Sequence, residues 1–274
     1  TFDFVVTNNS TEAATITGLS DDKFGTLVGD EDCKVGTVLA GGASCTFGAT
    51  FSIPAANAGS THVNTFTATG EDNDGNSDSG SDSETVTYTD VLPDITVTKT
   101  ANPTSVPETG ANVVFTFVVT NNSLEAATLD SLVDSDFDDL NGQGNCTVPQ
   151  TLAGNGGSYS CAITVFLSGD ASGPAHNNVV TATASDNDGN TTDDSDDETV
   201  PFGDVLPNIS VTKTANPAPA SVPETGGNVT FDFVVTNNSS EAATITALSD
   251  NKFGTLAGDA DCRVGTVLAG GASC

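Results

Sequence analysis

The chain has 274 residues, of which 37 are acidic and 6 basic, for a formal net charge of −31. Such a surface cannot displace the counterions of a nucleic acid and is repelled by an anionic membrane, so neither is expected as a partner. No apolar run approaches the roughly eighteen residues of a membrane helix, which excludes membrane insertion within this segment.

The 14 Phe and the many Val, Ile and Leu fall at alternating positions, and the remainder is dominated by Thr, Asn, Gly and Ser, with no Met at all. That balance favours strands and turns over helix or disorder. In chain order, the first predicted strand opens at Phe2 with Phe-x-Phe-Val-Val-Thr-Asn-Asn-Ser, a run that returns at Phe115 and Phe231. Strand periodicity puts Val113, Phe115, Phe117 and Val119 on one face, and Val229, Phe231, Phe233 and Val235 likewise, with polar residues between them. The most complete copy adds Ile95 and Val97 before this strand. After it come Leu129 and Leu132, then Phe137 and Leu140. The copy continues through Cys161, Ile163, Val165 and Leu167, then Val180, Ala182 and Ala184, and closes on Val200 and Phe202. Asn-Asn-Ser, Gly-Asn-Gly-Gly and Asp-Gly-Asn supply the turns between them.

Val91-Leu92-Pro93 returns as Val205-Leu206-Pro207, and Asp72-Asn73-Asp74-Gly75-Asn76 as Asp186-Asn187-Asp188-Gly189-Asn190. The unit is therefore about 114 residues, the size of one immunoglobulin-like domain. The expected organisation is repeat I over 1–93, lacking its first strand, a complete repeat II over 94–207, and repeat III over 208–274, lacking its second half. Residues 1–45 and 230–274 are identical except at Thr11, Gly18, Asp22, Val28, Glu31 and Lys34 of the first copy, whereas repeat II is more distant. The copies thus alternate, as a piece of a longer array would. About seven short strands per copy predict an all-β chain of tandem Ig-like or cadherin-like antiparallel β-sandwich domains, with a barrel as the alternative.

The six cysteines fall into one local pair per copy, Cys33–Cys45, Cys146–Cys161 and Cys262–Cys274. Disulfides are the natural reading for an exported protein, against free buried thiols or a zinc site whose spacing is absent. The segment before each Val-Leu-Pro is rich in acids and reads as a link between the last two strands. It offers Asp72, Asp74, Asn76 and Asp90 in repeat I and Asp186, Asp188, Asn190, Asp196, Asp197, Glu198 and Asp204 in repeat II. Calcium takes six to eight oxygen ligands of these kinds. Glu108 and Glu224, early in the following copies, are candidates to add a ligand across a joint. A solvated acidic hairpin that keeps the protein soluble explains the same residues. Calcium is the only cofactor suggested.

Asn8, Asn9, Asn121, Asn145, Asn190, Asn208, Asn228, Asn237 and Asn238 each begin an Asn-x-Ser/Thr sequon, either a glycoprotein's acceptors or the chance product of an Asn- and Thr-rich chain. Val-Pro-Glu-Thr-Gly at 106–110 and 222–226 is better read as a turn than as a sorting motif. Lys99 and Lys213 stand alone in their strands; some surface fibres join such a lysine to Asn or Asp, but a strand-edge lysine that discourages sheet pairing is the simpler reading. His62 and His176 lie near no recognisable nucleophile, and no enzyme is expected.

Ile-Thr-Val-Thr-Lys-Thr-Ala-Asn-Pro from Ile95, then Val-Thr-Asn-Asn-Ser, then Leu-Ala-Gly-x-Gly-x-Ser-x-x-Cys at 152–161 resemble bacterial surface-protein repeats classed as a conserved domain of unknown function, numbered eleven in its series. The resemblance implies Ig-type modules of large exported proteins, and the alternation and sequons are similar to those of an extracellular fibril. On these grounds the chain is expected to be a structural subunit of an extracellular fibre or cell-surface stalk that self-associates into a homopolymeric filament. The alternative is an adhesin module binding glycan or protein ligands through its loops, although Tyr88 and Tyr159, with no Trp, make a poor sugar-stacking platform.

Overall fold

Alternation of apolar and polar residues becomes alternation of burial along almost every long strand. A computed structural model describes residues 1–216 and 221–274, which form two units, Thr1–Leu92 and Pro93–Cys274. No helix occurs among the described residues, and none is long and apolar enough to cross a membrane.

In the first unit, β1 (Phe2–Thr7), β2 (Ala14–Asp21), β3 (Gly25–Thr26), β4 (Val38–Leu39), β5 (Ser44–Ala49), β6 (Thr61–Glu71) and β7 (Ser77–Thr87) make two sheets. β1 pairs with β5; the other runs β3-β2-β6-β7, with β4 also on β2. Phe4, Ile16, Leu19, Leu39, Phe47 and Phe66 form the core between them.

The second unit begins with β8 (Ile95–Asn102), β9 (Val106–Pro107), β10 (Ala111–Asn121), β11 (Ala127–Asp134), β12 (Asp138–Asp139) and β13 (Gln150–Leu152). β14 (Ser158–Leu167), β15 (His176–Ser185), β16 (Thr191–Val200) and β17 (Phe202–Gly203) complete this copy. One sheet is β14-β10-β8, antiparallel throughout; the other is β12-β11-β15-β16, with β13 on β11; β17 and β9 add a short parallel pair. Val113, Phe115, Phe117 and Val119 of the first sheet and Leu129, Leu132, Val180 and Ala182 of the second are wholly buried in one core. This is the antiparallel sandwich read from the sequence. Burying side chains of this size from both faces is the main favourable term in its folding. β18 (Ile209–Asn216), β19 (Thr230–Asn237), β20 (Ala243–Thr244), β21 (Ser249–Asp250), β22 (Gly254–Thr255) and β23 (Val267–Leu268) begin the pattern again. β18 pairs with β19 in the register of β8 with β10, so Lys213 lies opposite Phe233 as Lys99 lies opposite Phe117.

All three expected disulfides are present, Cys33–Cys45, Cys146–Cys161 and Cys262–Cys274. The first two tie a loop to a strand of the smaller sheet, through Cys45 in β5 and Cys161 in β14, whereas Cys274 lies outside any strand and exchanges main-chain hydrogen bonds with Val235 of β19. Gly144 lets the loop approach: its φ is 54°, and a β-carbon there would stand 2.1 Å from the Ala162 carbonyl oxygen.

Two expectations are corrected by the fold. The acid-rich stretch is not a link between strands but is itself the last long strand, β7 in the first unit and β16 in the second; only residues 72–76 and 186–190 turn. Strand period therefore splits the acids, with Asp194, Asp196 and Glu198 half-buried on one face and Asp193 and Asp197 exposed on the other. Second, Lys99 does not guard an edge. β8 is an edge strand, but its inward positions are Ile95, Val97, Lys99 and Ala101, so the lysine occupies a core position.

Candidate functional site

Lys99 enters the core because β8 keeps strict period two and the aliphatic stem covers apolar surface on the way in. Its ammonium lies 5.0, 5.8 and 5.8 Å from the ring centres of Phe115, Phe117 and Phe137. It donates to Asp134 Oδ2 at 2.7 Å and to the Asn178 main-chain carbonyl at 3.1 Å. Neither the Lys99 nor the Asp134 side chain has any solvent exposure. Burial drags the Lys99 amine below its ordinary value of 10.5, and the Asp134 carboxylate opposes that pull.

Asp134 is itself fixed by local structure. Its Oδ1 accepts the N–H groups of Asp136 at 3.0 Å and Phe137 at 3.3 Å, closing the turn after β11, and the Asn178 side-chain amide donates to the same oxygen at 2.6 Å. The Asn178 Oδ1 is buried and meets no donor. Parts of this group recur in the other copies. Asp21 accepts from Lys23 N, Phe24 N and, at 2.6 Å, Asn64 Nδ2, and Asn64 Oδ1 is again buried without a donor. Lys213 donates to Asp250 over the rings of Phe231, Phe233 and Phe253.

The sheet edge beside Lys99 is closed by side chains. Asp194 Oδ2 accepts Val97 N–H and Asp196 Oδ2 accepts Lys99 N–H, both at 2.7 Å. Asp196, read from the sequence as a calcium candidate or solvated charge, thus serves with Asp194 on the same face as an acceptor for an edge strand, in place of the backbone it lacks. Asp197 binds Asn177 Nδ2 on the outer face.

The turn acids also satisfy themselves. Asp186 Oδ1 accepts Asp188 N–H and Asn190 N–H, and its Oδ2 accepts Asn190 Nδ2; Asp72 does the same with Asp74 and Asn76. The Asn side chain first, then the backbone N–H groups, holds the Asp72 carboxyl below the ordinary range, and Asn190 does so for Asp186. Gly189, at φ 89°, supplies the left-handed residue the turn demands.

Three carboxylates do converge. Glu108, Asp204 and Glu241 each place an oxygen within 4.8 Å of the other two. Glu108 is held by Val205 N–H at 2.7 Å and Ala171 N–H at 3.2 Å, which keep its carboxyl below the ordinary range. Glu241 is pushed up, first by desolvation and then by the neighbouring Glu108 charge. Clustered oxygen donors of this kind are what a hard divalent cation takes. Sequence reading named Glu108 and Asp204 but missed Glu241; the signal was there, since Asn-Asn-Ser-x-Glu recurs with Glu12, Glu125 and Glu241. Glu224 is exposed and lies outside this group.

The sequons divide. Asn121 and Asn237 are fully buried, so in the fold neither side chain is presented to solvent. Asn121 Nδ2 donates to the carbonyls of Glu125, Leu152 and Ala153, and its Oδ1 accepts Ser123 N–H and Oγ–H. Asn237 repeats the pattern with Glu241, Leu268 and Ala269, and Asn8 with Glu12, Leu39 and Ala40. The sequon serine is thus part of a loop lock. Asn145 Oδ1 is engaged by Ala162 N–H at 2.6 Å. Asn9, Asn208, Asn228 and Asn238 are at least partly exposed. His62 and His176 are half-buried at the rim, against Phe24 and Phe137.

No protein-family model matches the chain, and no curated protein does. Among solved structures it is similar to a tetra-tandem repeat in the extending region of a large adhesion protein, at 17% identity over 99% of this chain, with a TM-score of 0.27. The chain spans 60% of the length of that structure. It is also similar to the major pilin subunit of Bacillus cereus, at 9% identity over 93% of this chain and 91% of that one, with a TM-score of 0.28. Likenesses this distant transfer neither activity nor partner.

Proposed function

We propose that the chain is a structural module of an extracellular or cell-surface fibre or stalk, built from sandwich repeats over 1–93, 94–207 and 208–274, and that it has no catalytic turnover. One observation carries this reading: the distinctive polar side chains of each copy turn inward and tie strands together. Asn8, Asn121 and Asn237 lock the same loop, and Asp21, Asp134 and Asp250 close the same turn. Polar groups spent on internal ties rigidify a repeat, and copying that repeat end to end makes a stalk. Disulfides in every copy fit an oxidising, exported location.

In this reading copies associate into a homopolymeric filament, and the Glu108–Asp204–Glu241 group is where calcium would offset carboxylate repulsion. Electron microscopy of native material tests the main claim. Regular beaded fibres are expected; a population of separate short rods would overturn it. A module that instead bound glycan or protein through its loops would show saturable binding by a single repeat.

A further inference from the structure

We propose that Lys99 and Asn178 become joined by an isopeptide bond, with Asp134 carrying the protons. The case rests on three buried side chains meeting at one point, and it extends the structural reading above. The nucleophile is the Lys99 amine, enclosed by Phe115, Phe117 and Phe137 and withdrawn from water. The acyl group is the Asn178 side-chain amide, whose own residue already meets Nζ through its main-chain carbonyl at 3.1 Å. Asp134 touches both reacting nitrogens, Lys99 Nζ at 2.7 Å through Oδ2 and Asn178 Nδ2 at 2.6 Å through Oδ1.

The reaction balances without oxidant or cofactor. Asp134 takes a proton from the Lys99 ammonium, leaving a neutral amine. Burial favours that step, because an apolar cage penalises the charged pair more than the neutral one. The amine attacks Asn178 Cγ, the Nζ–Cγ bond forms and the Cγ–Nδ2 bond breaks. Nδ2 leaves as ammonium after receiving two protons from Nζ, and Asp134 ends as the carboxylate it was.

Two further facts fit a reacting trio better than a resting ion pair. The Asn178 side-chain oxygen Oδ1 is buried with no donor, an arrangement that brings a purely structural asparagine no stability. Repeat I holds the same amide–carboxylate pair in Asn64 and Asp21, with Asn64 Oδ1 also lacking a donor, and repeat III holds the same amine–carboxylate pair in Lys213 and Asp250. Asp134 as the acyl partner is disfavoured, since consuming it would leave no group to carry protons and would strand Asn178.

The test is mass spectrometry of the folded 274-residue chain, reduced, alkylated and denatured. Expected is a mass about 17 Da below that of the sequence, with the Lys99 peptide joined to the Asn178 peptide after cleavage at acidic residues. The linkage map is needed because a succinimide at Asn141-Gly142 or Asn155-Gly156 loses the same mass but joins nothing. Lys99→Arg and Asn178→Ala will restore the full mass, and Asp134→Ala will leave the peptides unjoined. Because the parent chain is judged by itself, a variant that fails to fold does not rescue the idea. An unjoined parent chain overturns it. So does a loss of about 18 Da with Lys99 mapped to Asp134, or a Lys99 cross-link that survives Asn178→Ala.

Discussion

Asn121 shows how a residue's role follows from what its amide meets rather than from its motif. Asn-x-Ser reads as a glycan acceptor, yet here the side chain donates to three loop carbonyls and accepts twice from Ser123. Asn121→Ala leaves buried carbonyls unpaired, and it will lower the stability of its repeat by roughly 3 kcal/mol, read from the shift of the denaturant midpoint. Asn9→Ala, at an exposed position, will shift it by no more than about 0.5 kcal/mol. Lys99 teaches a related lesson. Ile95, Val97, Lys99 and Ala101 alternate in plain sight, so the inward position was legible. A lone charge in a strand suggests an edge device only until its partner is known, and Asp134 lies 35 residues away.

At the scale of elements, the sandwich is closed by devices at its weak points. The Cys146–Cys161 bridge spans a separation of 15 residues, for which loop closure alone is worth about 3 kcal/mol. Replacing both cysteines by Ala will lower the stability of that repeat by about that amount in chemical denaturation. The edge of β8 relies on Asp194 and Asp196 as acceptors for Val97 and Lys99. Asp194→Ala with Asp196→Ala will speed hydrogen exchange at those two amides by about tenfold or more, with smaller changes along β10. The sequence marked Asp196 as charge for solvent or metal. The inward role of Asp194 and Asp196 is not legible there, because a segment so poor in apolar residues shows no apolar alternation, and only the pairing of β15 with β16 reveals which acids face in. β7 of the first unit, by contrast, is exposed along nearly its whole length.

For the molecule as a whole, a net charge of −31 makes carboxylate repulsion the dominant long-range term. The Glu108–Asp204–Glu241 group shows both signs of its effect. Glu108 has a depressed pKa, so its contribution is present above the ordinary carboxylate range and is lost as pH falls through the lowered value. Glu241 has a raised pKa, so the proton it holds in the fold stabilises at low pH, and that contribution is lost as pH rises through the raised value. Glu241→Gln will therefore raise the melting temperature at neutral pH and make no difference near pH 4, whereas Glu108→Gln will lower it at neutral pH. Calcium at constant ionic strength will raise the parent melting temperature, and Glu108→Gln will shrink the gain. Identical curves in calcium and chelator would show that the group holds no cation.

The sequence by itself determined the repeat, the all-β class, the buried Phe/Val face and the cysteine pairs. Each of these is written in local periodicity or in the comparison of one copy with the next. Only the tertiary structure decided which polar residues face inward: that Lys99, Asp134 and Asn178 share a dry pocket, that Asn121 locks a loop, and that Glu241 joins Glu108 and Asp204. Those contacts link residues from 4 to well over 100 positions apart through strand register and sheet stacking, and no local pattern in a single chain specifies which distant side chains such stacking will bring together.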